Sequence, residues 1–418
     1  MQNEPTRLIP LEACRGIAAF IVLIEHYFLA FSPLTTGTDP HARTAESLIG
    51  QPYFALFNGT GAVAFFFTLS GFVLSWSYFH HETRRHLLSA VLKRLPRLAG
   101  TVTVTTIVSY GLFKLGLYYF EGAAQLSSSL WLARFGGGTW TPDFQPSFVT
   151  ALFQGLTTFF TGQADYNTNL WTMKAEFFGS MLVYMLACFI AIILRYRHFS
   201  YTFIIFSLLA LSYDRHLFPF VVGVYLASSL ARKTVEISTP TAIVLITSGL
   251  YLLGFMAPEK AYAWVNWLPG IGQGVFQTGF HTLGSIIIIF ATMANKTVFR
   301  NLNRRFFKFV GQMSFPLYLV HALVLCSISS YAYLHLTHSK LDAHVTLIAV
   351  FAITVFVSIG ASLPLHRFDQ WWVKEVQCRT NQFLELYHKE SAEEPSAKLL
   401  AAGETGVKTG GTTNPGTQ

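Results

Sequence analysis

The feature that most constrains this chain is a series of long apolar runs almost free of charge, separated by short basic stretches. A helix needs about 20 mostly apolar residues to cross a bilayer. Segments 59–79, 98–113, 170–194, 240–257, 276–294, 309–331 and 344–365 approach or meet that length. Segment 14–31 is long enough too, but it carries Arg15, Glu25 and His26, which a helix surrounded by lipid would not tolerate. Segments 201–213 and 217–231 are short and count as two further spans, bringing the expected total to ten. Segment 147–162 is also uncharged, yet its Gly and Thr content reads as a re-entrant or interfacial piece. Backbone polar groups in lipid must be bonded within the chain, so the expected fold is all-α, a polytopic membrane protein. Only 12% of the residues are charged, about half the usual soluble share, which excludes both water-exposed domains and a disordered chain.

Lysine and arginine test the count, because short cytoplasmic loops hold most of them. With ten spans and the N-terminus inside, the inner loops carry Arg84, Arg85, Lys93, Arg94 and Arg97, then Arg195 and Arg197, Arg232 and Lys233, and finally Lys296, Arg300, Arg304, Arg305 and Lys308. The outer loops carry fewer, among them Arg43, Arg134, Arg215, Lys260 and Lys340. This alternation predicts both termini in the cytoplasm and the protein in the cytoplasmic membrane. It also accounts for the net charge of +8, so the lipid bilayer is an expected partner and nucleic acid is not. The cysteines at 14, 188, 326 and 378 show no metal-ligand spacing, and no metal is expected. The first ten residues lack a basic run, so no removable signal peptide is expected. Residues 1–370 read as the membrane core and 371–418 as a cytoplasmic tail, disordered from about 391, where Gly, Thr, Ala, Glu and Lys dominate.

Ionisable groups inside a span are costly and mark function by default. Arg15 and His26 lie eleven residues apart, which at 100° per residue is about 20° past three full turns. Both therefore face one side of a helix, about 16 Å apart along its axis. A neutral imidazole there can take a proton from a hydroxyl, and Arg15 can orient a partner or bind an anion; packing of His26 and snorkelling of Arg15 are the plainer alternatives. Arg94 and Arg97 flank Pro96, which fits a helix's first turn, so the two arginines at a positive helix end make a phosphate site. Ordinary inner-loop charge explains them equally well. Ser314, Tyr318 and His321 form one stripe of the ninth span, as either helix–helix contacts or cavity lining. Glu176, near Trp171, needs a partner on another helix. Ser70-Gly71-Phe72 permits close backbone approach. In the long outer stretch 118–168, Trp131, Trp140, Phe144 and Tyr166 beside Asp143 and Asp165 suit sugar binding, or an interfacial aromatic belt.

Taken together these segments resemble the acyltransferase type-3 family, whose members are membrane enzymes that move acyl groups from acyl-CoA onto extracytoplasmic acceptors. Arg15 and His26 match its Arg-x10-His motif, following an opening run from Arg7 to Phe20. Phe66-Phe67-Thr68-Leu69-Ser70-Gly71-Phe72 resembles its Phe-Phe-x-x-Ser-Gly-Phe motif, and Arg94 with Arg97 its Arg-x-x-Arg. Leu170, Trp171 and Glu176 match a Leu-Trp-x4-Glu pattern, and Ser314, Tyr318, Leu319 and His321 a Ser-x3-Tyr-Leu-x-His pattern. Glu12 stands where the family more often has Asp, and Cys14 where it has a small or aliphatic residue. No esterase-like domain of the kind some relatives carry is expected after the core.

The resemblance implies an O-acyltransferase with acyl-CoA as donor, acetyl-CoA foremost and succinyl second, and a glycan hydroxyl as acceptor. His26 and Arg15 would be catalytic. Arg94, Arg97, Ser70, Gly71 and Phe72 would hold the donor, and Glu176, Trp171, Tyr318 and His321 would line the acceptor site. The rival from another class is a proton-coupled transporter or flippase using His26, Glu25 and Glu176 as a relay. Inverted repeats would favour it, and none is visible. A second enzyme rival, the unrelated membrane-bound O-acyltransferases, would make His321 rather than His26 catalytic.

Overall fold

In a computed structural model the described residues are 8–81, 84–190, 199–256, 260–270, 274–339 and 341–404. They are all-helical: 82% helix, with no strand among them. The principal helices are α1 (Ile9–Phe31), α2 (Gly59–His81), α3 (Arg84–Lys114), α4 (Phe148–Thr161), α5 (Trp171–Cys188), α6 (Phe199–Tyr213), α7 (Phe218–Arg232), α8 (Thr239–Leu253), α9 (Gly274–Ala294), α10 (Arg305–Val324) and α11 (Ala343–Glu404). A π-turn at Leu325–Ser329 carries α10 onward into Ser330–His338. Five of these rods are long and apolar enough to cross a membrane: Ile9–Phe31, Gly59–Phe79, Gly274–Ala294, Arg305–His338 and Ala343–Leu386. At 14 residues α4 is about 21 Å long, short of the ~30 Å hydrocarbon core. The inner-loop residues Arg195 and Arg197 lie outside the described residues.

Glycines set the helix crossings, as expected where small residues let backbones approach without a hydrophobic drive between helices. A Cβ on Gly16 would fall 2.3 Å from the Val310 carbonyl oxygen, and one on Gly311 would fall 2.7 Å from the Glu12 backbone. The helices α1 and α10 therefore touch backbone to backbone and run parallel. Ten residues further along each helix stand His26 and His321. Gly71 does the same for α2 and α7, since its Cβ would lie 2.3 Å from the Phe220 carbonyl oxygen.

One expectation is corrected here. Pro96 is not in a first turn: α3 begins at Arg84, so Pro96, Arg94 and Arg97 sit inside the helix, away from its positive end. A proline ring removes one helical hydrogen bond, and membrane helices tolerate that where neighbours satisfy the freed groups. The carbonyl that Pro96 leaves without its helical donor is that of Leu92; the Pro96 carbonyl itself accepts the Trp372 indole N–H at 2.7 Å, and the indole lies where a Cβ on Gly100 would be. The end of the membrane core at residue 370 falls within a continuous helix, α11, whose Trp372 and Gln377 bind α3; the Lys93 ammonium donates to Gln377 Oε1 at 2.6 Å. The helix runs on to Glu404, through the first part of the stretch expected to be disordered, and 405–418 lie outside the described residues.

Candidate active site

Two cavities enter the bundle from opposite ends. The first, about 430 Å³, is basic: Arg15, Arg94, Arg97 and Lys374 line it together with Glu12, Glu176 and Asp369. The second, about 530 Å³, is lined by His26, His41, His216 and His281 together with Trp131 and Trp171. Val63, Phe67 and Tyr318 line both, so a thin septum separates them. Arg15 faces the basic cavity and His26 the histidine cavity, which is the single-face arrangement that the helical arithmetic predicts.

Hydrogen bonds assign the protons around His26. His321 is fully buried, and its Nδ1 lies 2.9 Å from the Leu317 carbonyl, which can only accept. A neutral imidazole has one N–H, and an unpaired charge here would be costly, so Nε2 of His321 carries a lone pair. His26 Nδ1, 3.0 Å away, therefore donates to it. His26 Nε2 is left with its own lone pair in the histidine cavity, ready to accept a proton. Trp131 lies against the His26 ring with centroids 4.8 Å apart and restricts its rotation. Asn169 Nδ2 donates to the Tyr318 carbonyl at 2.5 Å and Asn167 Nδ2 to the Leu319 carbonyl at 2.7 Å, fixing the turn of α10 that carries His321. Tyr318 itself shares a hydroxyl bond of 2.9 Å with Thr172.

In the basic cavity, Glu176 finds its partner in Arg94. The two form an ion pair, Arg94 Nε also donates to Ser180 at 2.8 Å, and Ser70 donates to the same Glu176 oxygen at 2.9 Å. Glu176 therefore lies across the septum from the histidine cavity, whereas Trp171 and Tyr318 line that cavity and His321 stands behind His26. Of Ser70, Gly71 and Phe72, only Ser70 reaches a cavity; Gly71 is spent on the α7 contact, and Phe72 is fully buried, stacked on Trp76. Arg97 is exposed to the cavity and Arg15 half-buried.

Several lining residues were not singled out from the sequence as site residues. Asp369 and Lys374 come from α11, beyond the apolar run. Glu25 is buried, and its carboxylate accepts the Gly59 N–H at the start of α2. His216 binds Asp214 at 2.7 Å, which holds the Asp214 carboxyl below its ordinary range, and sits edge-on to Trp171 with centroids 5.7 Å apart. His281 Nε2 donates to the Phe255 carbonyl at 3.0 Å. Of the outer aromatic set, only Trp131 reaches the cavity. Phe144 and Tyr166 pack with Phe113 beneath the loop, Trp140 packs with Phe120, and Asp165 is held by Thr139 and Gln154.

The site thus combines a half-buried imidazole of fixed tautomer, one cavity opening toward it and a basic cavity behind the septum. The family described as an acyltransferase domain matches residues 9–366, nearly the whole chain. The chain belongs to the acyltransferase type-3 family. No curated protein and no solved structure gives a significant match.

Proposed function

We propose that this protein transfers an acyl group, acetyl foremost and succinyl second, from acyl-CoA to a hydroxyl of an extracytoplasmic glycan, in the cytoplasmic membrane. The observation that carries this reading is the Leu317–His321–His26 chain, which leaves the His26 Nε2 lone pair in a cavity of its own. The acyl-CoA phosphates occupy the basic cavity, with Arg97 and Arg15 as guanidiniums that make no ion pair among the described residues, while Arg94 is shared with Glu176. The acyl-pantetheine arm crosses the septum at Val63, Phe67 and Tyr318. His26 Nε2 takes the proton of the acceptor hydroxyl, whose oxygen attacks the thioester carbonyl. The carbon–sulfur bond breaks, and the CoA thiolate receives the proton from His26. Comparison of cell-envelope glycans from a deletion strain and its parent by mass spectrometry tests the reading. A mass loss of one acetyl or succinyl unit per modified residue is expected in the deletion, and identical envelopes would overturn it.

The orientation belongs to the same proposal: ten spans, both termini cytoplasmic, the basic cavity inside. Single cysteines placed near residue 92 and near residue 143, on a background lacking the native four, should differ in reactivity toward an impermeant thiol reagent. The outer one, near 143, should label on intact cells and the other only after permeabilisation. Equal labelling from outside would remove the cytoplasmic route for acyl-CoA.

A further inference from the structure

Positive charge is sparse in the loops that border the histidine cavity, yet two arginines from separate loops converge on that cavity. Arg134 follows the turn that carries Trp131, and Arg215 lies between α6 and α7. Neither guanidinium makes an ion pair or hydrogen bond among the described residues, and both are exposed. Arg215 lays its guanidinium against Gly274 at the start of α9, where a Cβ would fall 1.4 Å from its Nη1 and push it aside.

No carboxylate lies within ion-pair distance of either guanidinium among the described residues. Glu25 is engaged with the Gly59 N–H, Asp39 accepts the His41 N–H at 2.9 Å, and Asp214 is bound by both the backbone N–H and Nδ1 of His216. Both guanidinium forks are therefore free to receive an anionic ligand group in the cavity. A guanidinium is a planar fork of donors that matches a carboxylate or phosphate two-to-two. Trp131 and Trp171 line the same cavity and offer ring faces beside His26 and His216 respectively.

From this convergence we infer that the acceptor is an acidic saccharide, whose carboxylate or phosphate is held by Arg134 and Arg215 while a hydroxyl of the same or the adjoining sugar meets His26 Nε2. The inference rests on the acyltransferase reading and narrows its acceptor class. A neutral glycan would leave both forks without an anion.

The test separates envelope glycans of the parent and the deletion strain on an anion exchanger before mass spectrometry. The acyl mass should appear in the parent's retained, acidic fraction and be missing from that of the deletion. Uronic-acid and phosphorus analysis of that fraction then distinguishes carboxylate from phosphate. Complementation with Arg134→Gln plus Arg215→Gln should lower acylation by about tenfold for each fork lost, at unchanged protein level and unchanged CoA affinity. Arg134→Lys plus Arg215→Lys, which keeps the charge but not the fork, should recover part of it. Acyl mass confined to the unretained, neutral fraction would overturn the inference while leaving the acyltransferase reading intact, as would full acylation by the double Gln variant. No acyl difference in either fraction would remove the acyltransferase reading and this inference with it.

Discussion

Replacing His26 by Gln should lower acyl transfer by about 10²–10⁴-fold, the usual worth of a general base, with expression and thermal stability near those of the parent. Gln keeps a hydrogen-bond donor toward His321 but has no lone-pair nitrogen to take a proton. The ring is half-buried rather than part of the tightest packing, so its loss should not unfold the bundle. His321 supplies the control. It accepts from His26 Nδ1 and donates to Leu317, and so acts by positioning. In His321→Gln the amide oxygen can still accept from His26 Nδ1–H, so the loss should be smaller than at His26. In His321→Leu nothing accepts that proton; the His26 tautomer is no longer fixed, and kcat should fall further with little change in the KM for acyl-CoA. Steady-state transfer to envelope glycan in purified, reconstituted protein measures all three. Full activity in His26→Gln would sink the mechanism. Loss at His321 with His26→Gln unaffected would move the base to His321, as the unrelated membrane-bound O-acyltransferases would require.

The helical placement of that pair was legible in part. Eleven residues between Arg15 and His26 suffice to place both on one face, and the Ser314–Tyr318–His321 stripe is visible as a periodicity. That His26 touches His321 was not legible, because the contact joins residues 295 apart through a crossing set by Gly16 and Gly311. Glu176 announced its need for a partner, but only the packing of α3 on α5 names Arg94. A local rule misled in one place. A proline beside basic residues reads as a helix start, yet Pro96 lies inside a helix that begins at Arg84. Ser70-Gly71-Phe72 reads as permitting close backbone approach, and only the packing names α7 as what approaches at Gly71. Arg134 and Arg215 registered only as exceptions to charge asymmetry. Their convergence is a property of two loops folding over one cavity, which a one-dimensional pattern does not carry.

The Arg94–Glu176 pair should carry the largest stability effect. The Arg94 side chain is 9% exposed and that of Glu176 16%, and Ser70 and Ser180 complete their hydrogen bonds. Removing one member of such a pair leaves a charge stranded, which costs about 3–5 kcal/mol. Glu176→Ala and Arg94→Ala should therefore each lower the thermal midpoint of the detergent-solubilised protein. The double replacement by apolar residues, Arg94→Leu with Glu176→Leu, should be less destabilising than the sum of the singles, because no stranded charge remains. Arg97 separates stability from ligand binding. It faces the same cavity without an ion pair, so Arg97→Ala should leave the midpoint unchanged. CoA affinity should nevertheless weaken, by about 1–3 kcal/mol for a lost charge-assisted contact, and the difference should shrink as salt screens the contact in the parent. Thermal unfolding and CoA titration on the same preparations give both readouts. If Arg97→Ala bound CoA as tightly as the parent, the basic cavity would lose its role as the donor site, and the four basic side chains lining it would revert to marking the cytoplasmic face. If Glu176→Ala unfolded at the parent's temperature, Arg94 would have to be solvated through the cavity, and the pair would be free to open around a phosphate.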